Sequence, residues 1–299
     1  MKVAYSPIYK YRLPEGHRFP MIKYELLPMQ LLHQGVIDQN DLFQPGFLTE
    51  SEILKTHTVD YWEKLKTLTL DRKEIRDIGF PVRADLIERG RYIAMGSVQC
   101  AMHALAGEVC LNIAGGTHHA FADRGEGFCL FNDFAIVSNY LLSRKLVKKI
   151  LILDLDVHQG NGTAKIFESN PSVYTCSVHG QKNYPLRKEQ SDLDVGLEDG
   201  TLDQEYLQTL ESLLPKLIEK VRPELILYLA GVDVLESDKL GRLALSLNGC
   251  YQRDRLVFEC CKQYKIPVSV SMGGGYSKDI KVIIDAHANT FKAARDVLD

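Results

Sequence analysis

A chain of 299 residues that is 45% hydrophobic carries enough apolar material for one large core, so a single domain over residues 1–299 is expected. With 36 basic against 39 acidic side chains its formal charge is -3, which gives no positive footprint for direct nucleic-acid binding or for an anionic membrane surface. No run of about eighteen apolar residues occurs, and the opening Met1-Lys2-Val3-Ala4-Tyr5-Ser6 lacks the apolar core of a signal peptide.

A soluble, cytoplasmic protein is therefore expected. Taken in chain order, the pattern predicts a strand at 2–6, helices at 20–34, 59–69 and 83–106, and a strand at 108–113. A helix at 132–146, a strand at 149–154, a helix at 160–168 and a strand at 172–178 follow. The chain then reads as helix 203–221, strand 224–230, helix 248–264, strand 267–272 and helix 279–296. Pro20, Pro223 and Pro267 mark boundaries that a helix cannot cross inward. This alternation predicts an α/β fold: one mostly parallel sheet with helices on both faces and its active site at the C-terminal strand ends. Residues 180–200 are irregular and polar and read as a surface loop at the rim of the site. The seven cysteines are odd in number, form no Cys-x-x-Cys pair, and read as reduced core residues.

The polar residues that interrupt this pattern stand just past the predicted strands. Strand 108–113 runs into Gly115-Gly116-Thr117-His118-His119, and strand 149–154 into Asp154-Leu155-Asp156-Val157-His158. His179 follows the strand at 172–178, Asp233 the strand at 224–230, and Gly273-Gly274-Gly275-Tyr276 the strand at 267–272. Each is ambiguous singly: adjacent histidines suit a solvated turn, Asp233 an N-cap, and three glycines a tight turn. Their shared edge makes a site the better reading. Oxygen and nitrogen donors without thiolate suit zinc or iron(II). A divalent ion held by Asp156, His158 and Asp233 would acidify a water and polarise a carbonyl. One or both of His118 and His119 would move protons, and Tyr276 would donate to the oxyanion, which together hydrolyse an amide.

The motifs Gly115-Gly116-Thr117-His118-His119-Ala120, Gly125-Glu126-Gly127-Phe128-Cys129, Asp154 through Gly162, Ala230 through Leu235 and Gly273-Gly274-Gly275-Tyr276 resemble the histone deacetylase-like superfamily over nearly the whole chain. Gly16-His17-Arg18-Phe19-Pro20-Met21, Ile78-Gly79-Phe80-Pro81 and the short length look most like class IV and its bacterial relatives. The resemblance implies zinc on Asp156, His158 and Asp233, catalysis by His118, His119 and Tyr276, and support from Asp154 and Asn161 behind the histidines. It further implies a K+ or Na+ site of Asp154, the Ser177 hydroxyl and carbonyls of Asp156, His158 and Val178. An acyl-lysine channel would run between Gly127, Phe128 and Tyr184, with Leu240 at the mouth and Arg18 near an inner cavity where acetate leaves.

Three departures from class I members accompany it. Asn161 replaces an Asp beside the second histidine, so His119 has a neutral partner and reads as the neutral base, with the acid left unassigned. The Ile78–Pro81 stretch lacks the Asp that grips substrate backbone, and the loop before Tyr184 is short. The expected substrate is an acylated lysine peptide or protein, with acetyl or a longer acyl group; an acetylpolyamine or other small acylated amine is the alternative. A ureohydrolase-like enzyme would need a second metal and finds no Asp two residues past Asp233, and a silent binding protein need not keep every catalytic residue type.

Overall fold

Unbroken apolar runs such as Ile150-Leu151-Ile152-Leu153 offer water no polar face, and each becomes a strand buried on both sides. The computed structural model describes residues 1–299. Its strands are β1 (Lys2–Ala4), β2 (Leu42–Phe43), β3 (Cys110–Asn112), β4 (Ile150–Asp154), β5 (Val173–Gly180), β6 (Leu193–Leu197), β7 (Leu225–Leu229) and β8 (Val268–Ser271). Every pairing is parallel, in the order β2-β1-β3-β8-β7-β4-β5-β6. The helices are α1 (Lys23–His33), α2 (Glu50–Ile53), α3 (Val59–Thr67), α4 (Arg72–Ile78), α5 (Ala84–Leu105), α6 (Asp133–Ser143), α7 (Asn161–Phe167), α8 (Asp203–Val221), α9 (Leu247–Tyr264) and α10 (Ile280–Leu298). None is long and apolar enough to cross a membrane.

Helices cover both faces, as register and side-chain contacts require. Tyr228 on β7 pairs with Val270 on β8 and bonds Asp254 of α9, whereas the next β8 residue, Ser271, meets Ser97 of α5. Successive residues of a strand point to opposite faces, so α5 and α9 lie on opposite sides. One apolar cluster runs from Val3 to Val297 and joins both layers, so this is a single α/β domain with one core.

A parallel sheet brings all carboxyl ends to one edge, and β3, β8, β7 and β4 are consecutive there. The chain goes from β3 to β4 across two strands it has not yet made, and the gap this opens at the edge is where ligands sit in such sheets.

Differences from the sequence expectation are local. Residues 180–200 are not wholly loop, because Leu193–Leu197 forms edge strand β6 with alternate residues exposed. Strand β5 continues through His179, which therefore lies within the strand and bonds Ser177 (2.9 Å). Four strand ends, rather than five, build the site. Strand β2 and helices α2 and α4 are too short to show a period.

Candidate active site and metal centre

Asp156 and His158 follow β4, and Asp233 follows β7, its immediate neighbour in the sheet. Their ligand atoms lie within 4.8 Å of one another, and all three side chains are buried. Backbone amides aim the carboxylates: Gly274 N–H donates to Asp156 Oδ2 (2.8 Å), and Val157 N–H donates to Asp233 Oδ1 (3.0 Å). Asp233 thus orients across strands and caps no helix. A side chain at Gly274 would collide with the Asp233 carboxylate and stand 2.8 Å from Asp156 Oδ2, so only glycine leaves the ligand atoms in place.

The donor set fits a divalent cation. His158 Nδ1 stands 3.0 Å from Asp156 and 3.2 Å from Asp233, yet Asp233 Oδ2 is buried without a well-directed hydrogen bond. Burial and repulsion from Asp156 push the Asp233 carboxyl up to about 7. Burial would lower the His158 imidazole, but the two carboxylates outweigh it and raise it to about 10. Two close carboxylates and one imidazole, with an oxygen left over, are what a hard or borderline cation satisfies.

His118 and His119 approach from β3, with ring centroids 4.1 Å apart. Positive φ at Gly115 (89°) and Gly116 (70°) turns the chain back, and a Cβ at Gly116 would come 2.8 Å from the Gly273 Cα. Asp133, at the start of α6, clamps this turn by accepting Gly116 N–H (3.1 Å), Thr117 N–H (2.8 Å) and Thr117 Oγ1–H (2.8 Å).

The two imidazoles have different supports. His118 Nδ1 bonds Asp154 (2.6 Å), and His119 Nδ1 bonds Asn161 Oδ1 (2.7 Å). Burial opposes charge on His118, but the Asp154 carboxylate wins and raises it to about 9. Burial, with His118 and His158 nearby, drives His119 well down instead. Tyr276 follows β8 and lines the same cavity, its ring centroid 6.5 Å from that of His158; burial and the Asp233 and Asp156 carboxylates hold its phenol well up, so it is a donor. Asp238 fixes its backbone by accepting Tyr276 N–H (2.6 Å), and also holds Leu240 N–H (2.8 Å) and Gly241 N–H (2.9 Å).

Two cavities meet at this cluster and share His119, Gly127, Phe128, His158 and Tyr276. The outer one opens to solvent between Phe128, Tyr184 and Leu240, with Arg18, Asp77 and Glu126 at its rim. The inner one is about 40 Å³ and is lined by Phe19, Tyr24, Phe80 and Arg89. Arg18 is therefore not at the inner end: its guanidinium lies over the Phe128 ring (4.8 Å) on the outer side. The inner cations are Arg89, over Tyr24 (5.0 Å), and beside it the fully buried Lys23, whose Nζ donates to the Gly273 carbonyl (2.9 Å). Burial, partly offset by Asp233 and Asp156, brings Lys23 down to about 8.

Asp154 and Ser177 are register partners on β4 and β5, and both are buried beside Val178. Sequence reasoning missed Asp133, Asp238, Arg89 and Lys23. Asp133 and Asp238 resemble ordinary helix-start and turn carboxylates, and Arg89 the polar face of a long helix. Lys23 had one usable signal, as a lone cation at the start of an apolar helix.

The family described as "Histone deacetylase domain" matches residues 17–291. An uncharacterized protein of Picosynechococcus is 43% identical over 99% of this chain and 98% of its own length. Histone deacetylase 2 of Arabidopsis thaliana is 30% identical, covering 91% of this chain and 73% of its own. The acetoin utilization protein AcuC of Staphylococcus aureus is 26% identical over 99% of this chain and 82% of its own. Among solved structures, an HDAC homolog complexed with SAHA superposes with a TM-score of 0.84 at 27% identity, covering 98% of this chain and 83% of its own.

Proposed function

The chain belongs to the histone deacetylase family, and on that premise we propose that it is a zinc-dependent hydrolase that removes acetyl groups from the ε-amino group of lysine in peptides or proteins. The observation that carries this reading is the convergence of Asp156, His158 and Asp233 with two differently supported histidines and one phenol around a single cavity. Asp156, His158 and Asp233 would hold the ion, zinc or iron(II), which when bound activates water and polarises the amide carbonyl. Asn161 cannot stabilise a charged imidazole as a carboxylate does, so His119 stays neutral and takes the proton from the attacking water. His118, backed by Asp154, returns a proton to the departing amine. Tyr276 donates its O–H to the developing oxyanion.

Phe128 and Tyr184 grip an aliphatic stem, and the short inner space suits an acetyl methyl. An inner space of about 40 Å³ admits a small group, so a long fatty acyl chain would need the inner wall to open. Asp154, the Ser177 hydroxyl and the carbonyls of Asp156, His158 and Val178 would hold a structural K+ or Na+. The segments Gly16–Met21 and Ile78–Pro81 and the short chain support a reading close to class IV, and seven buried unpaired cysteines suit a reducing cytoplasm.

A small acylated amine is the second reading: the Asp77 and Glu126 carboxylates line the mouth with Arg18, although Asp77 already pairs with Lys73 (2.6 Å) and Glu126 stands 3.7 Å from Arg124. The test is turnover by the zinc-loaded protein on acetyl-lysine peptide, myristoyl-lysine peptide and acetylpolyamine, with SAHA as competitor. Acetyl-lysine peptide is expected to be fastest; no turnover of any acyl amide by metal-replete protein refutes the reading.

A further inference from the structure

The support behind His119 does not end at Asn161. The Asn161 Nδ2–H donates to Glu126 Oε1 (3.0 Å), and the Tyr184 hydroxyl donates to the same oxygen. Glu126 sits in the loop before Phe128, where its amide pairs with the Cys129 carbonyl (3.0 Å), and Arg124 Nε stands 3.7 Å from Oε2.

A primary amide has one accepting end and one donating end of nearly equal size, so its direction is fixed only by its partners. With Oδ1 toward His119 (2.7 Å), Nδ1 must carry the imidazole hydrogen, and Nε2 keeps a lone pair. A half-turn of Asn161 would present N–H to Nδ1, move the hydrogen to Nε2, and remove the ability of Nε2 to accept a proton. An ionised carboxylate accepts and never donates, so that half-turn would set Asn161 Oδ1 against Glu126 Oε1. We propose that Glu126 is a positioning residue that locks the Asn161 amide and, through it, holds His119 in the tautomer able to act as base. The Tyr184 hydroxyl holds the carboxylate in place from the channel wall. An Asp at position 161 would accept at both ends and need no lock, so the device belongs to chains that carry Asn there.

This inference rests on the base role given to His119 above, but its first readout does not require turnover. Ring-nitrogen NMR of histidine-labelled, zinc-loaded protein is expected to show His119 with hydrogen on Nδ1. In Glu126→Leu the half-turn satisfies the Asn161 N–H and leaves only a carbonyl short, the more tolerable shortfall, so the hydrogen moves to Nε2. kcat then falls about tenfold or more with KM little changed. Glu126→Gln, whose amide can turn its own oxygen toward Asn161, restores both tautomer and kcat. In an Asn161→Asp background Glu126→Leu costs nothing further. An unchanged His119 tautomer in Glu126→Leu, or an equal loss of kcat in the Asn161→Asp background, overturns the proposal. If no amide substrate turns over at all, the tautomer measurement still decides the lock.

Discussion

Arg253 on α9 is fully buried, and its Nη1 donates to the carbonyls of Gly231 (2.5 Å) and Leu155 (3.3 Å), which lie just before Asp233 and Asp156. Its charge is met by Asp254 at 2.8 Å, and Asp254 also accepts from Tyr228 and Thr290 (2.7 Å). Arg253→Met fills much of the same volume but strands a buried carboxylate. Breaking such a pair costs about 3–5 kcal/mol, and the two donors left on Asp254 place the loss at the lower end, about 3 kcal/mol. For a chain of 299 residues that corresponds to a Tm lower by roughly 5 °C. Arg253→Met/Asp254→Leu removes both charges and is expected to regain part of that loss, because an apolar pair of similar volume is roughly neutral against a buried ion pair while the Tyr228 and Thr290 hydroxyls lose their acceptor. Neither variant restores the anchor on Gly231 and Leu155, so zinc affinity stays weakened by about tenfold in both. Thermal unfolding of the metal-free proteins, run beside zinc titration, separates the two effects. A double variant as unstable as the single one refutes the charge argument, and native zinc affinity in the double variant refutes the anchoring argument.

Gly274→Ala is expected to keep the fold and weaken zinc binding by at least about tenfold, because the methyl displaces the Asp233 carboxylate; native affinity in a competition titration would exclude the cradle. Tyr276→Phe should bind zinc normally and lose about 100- to 1000-fold in kcat, and near-native turnover contradicts its oxyanion role. Zinc at about 100 times its Kd should stabilise the native protein by about 2.7 kcal/mol and leave Asp233→Ala unmoved, as measured by Tm with and without chelator. Equal zinc-dependent shifts in both proteins would remove Asp233 from the ligand set.

The legible part of the fold was the part with two-sided burial. Strands β4 and β7 are continuous apolar runs, so both their existence and the polar residues at their ends could be read directly. Strand β6 is an edge strand whose sequence, Leu-Asp-Val-Gly-Leu, carries exposed and half-buried residues, and nothing local separates it from a loop. In the site, metal-ligand types stand out because buried Asp and His are rare, while supporting groups use commonplace residues in commonplace places. Asp133 looks like any acid at a helix start, yet it organises the turn that carries both histidines. Arg18 was assigned by its place in a motif, and its side chain went to the rim because the inner end is filled by Phe19, Tyr24 and Arg89.

The supports behind the two histidines also differ in how they are held. Asp154 ends β4, its backbone fixed by pairing on both sides with β5 and β7, and a carboxylate has no donor end to present wrongly. The environment of His118 is therefore set by the sheet itself. Asn161 stands at the start of α7, and its amide is directed by Glu126, which shares an oxygen with the hydroxyl of the half-exposed Tyr184. Tyr184 packs edge-on to His119, with ring centroids 5.0 Å apart, and lines the outer channel. A substrate stem that moves Tyr184 therefore acts on the group that directs Asn161. Under the proposed roles, the proton donor is anchored on a central strand of the sheet, and the proton acceptor is coupled to the mouth of the outer channel.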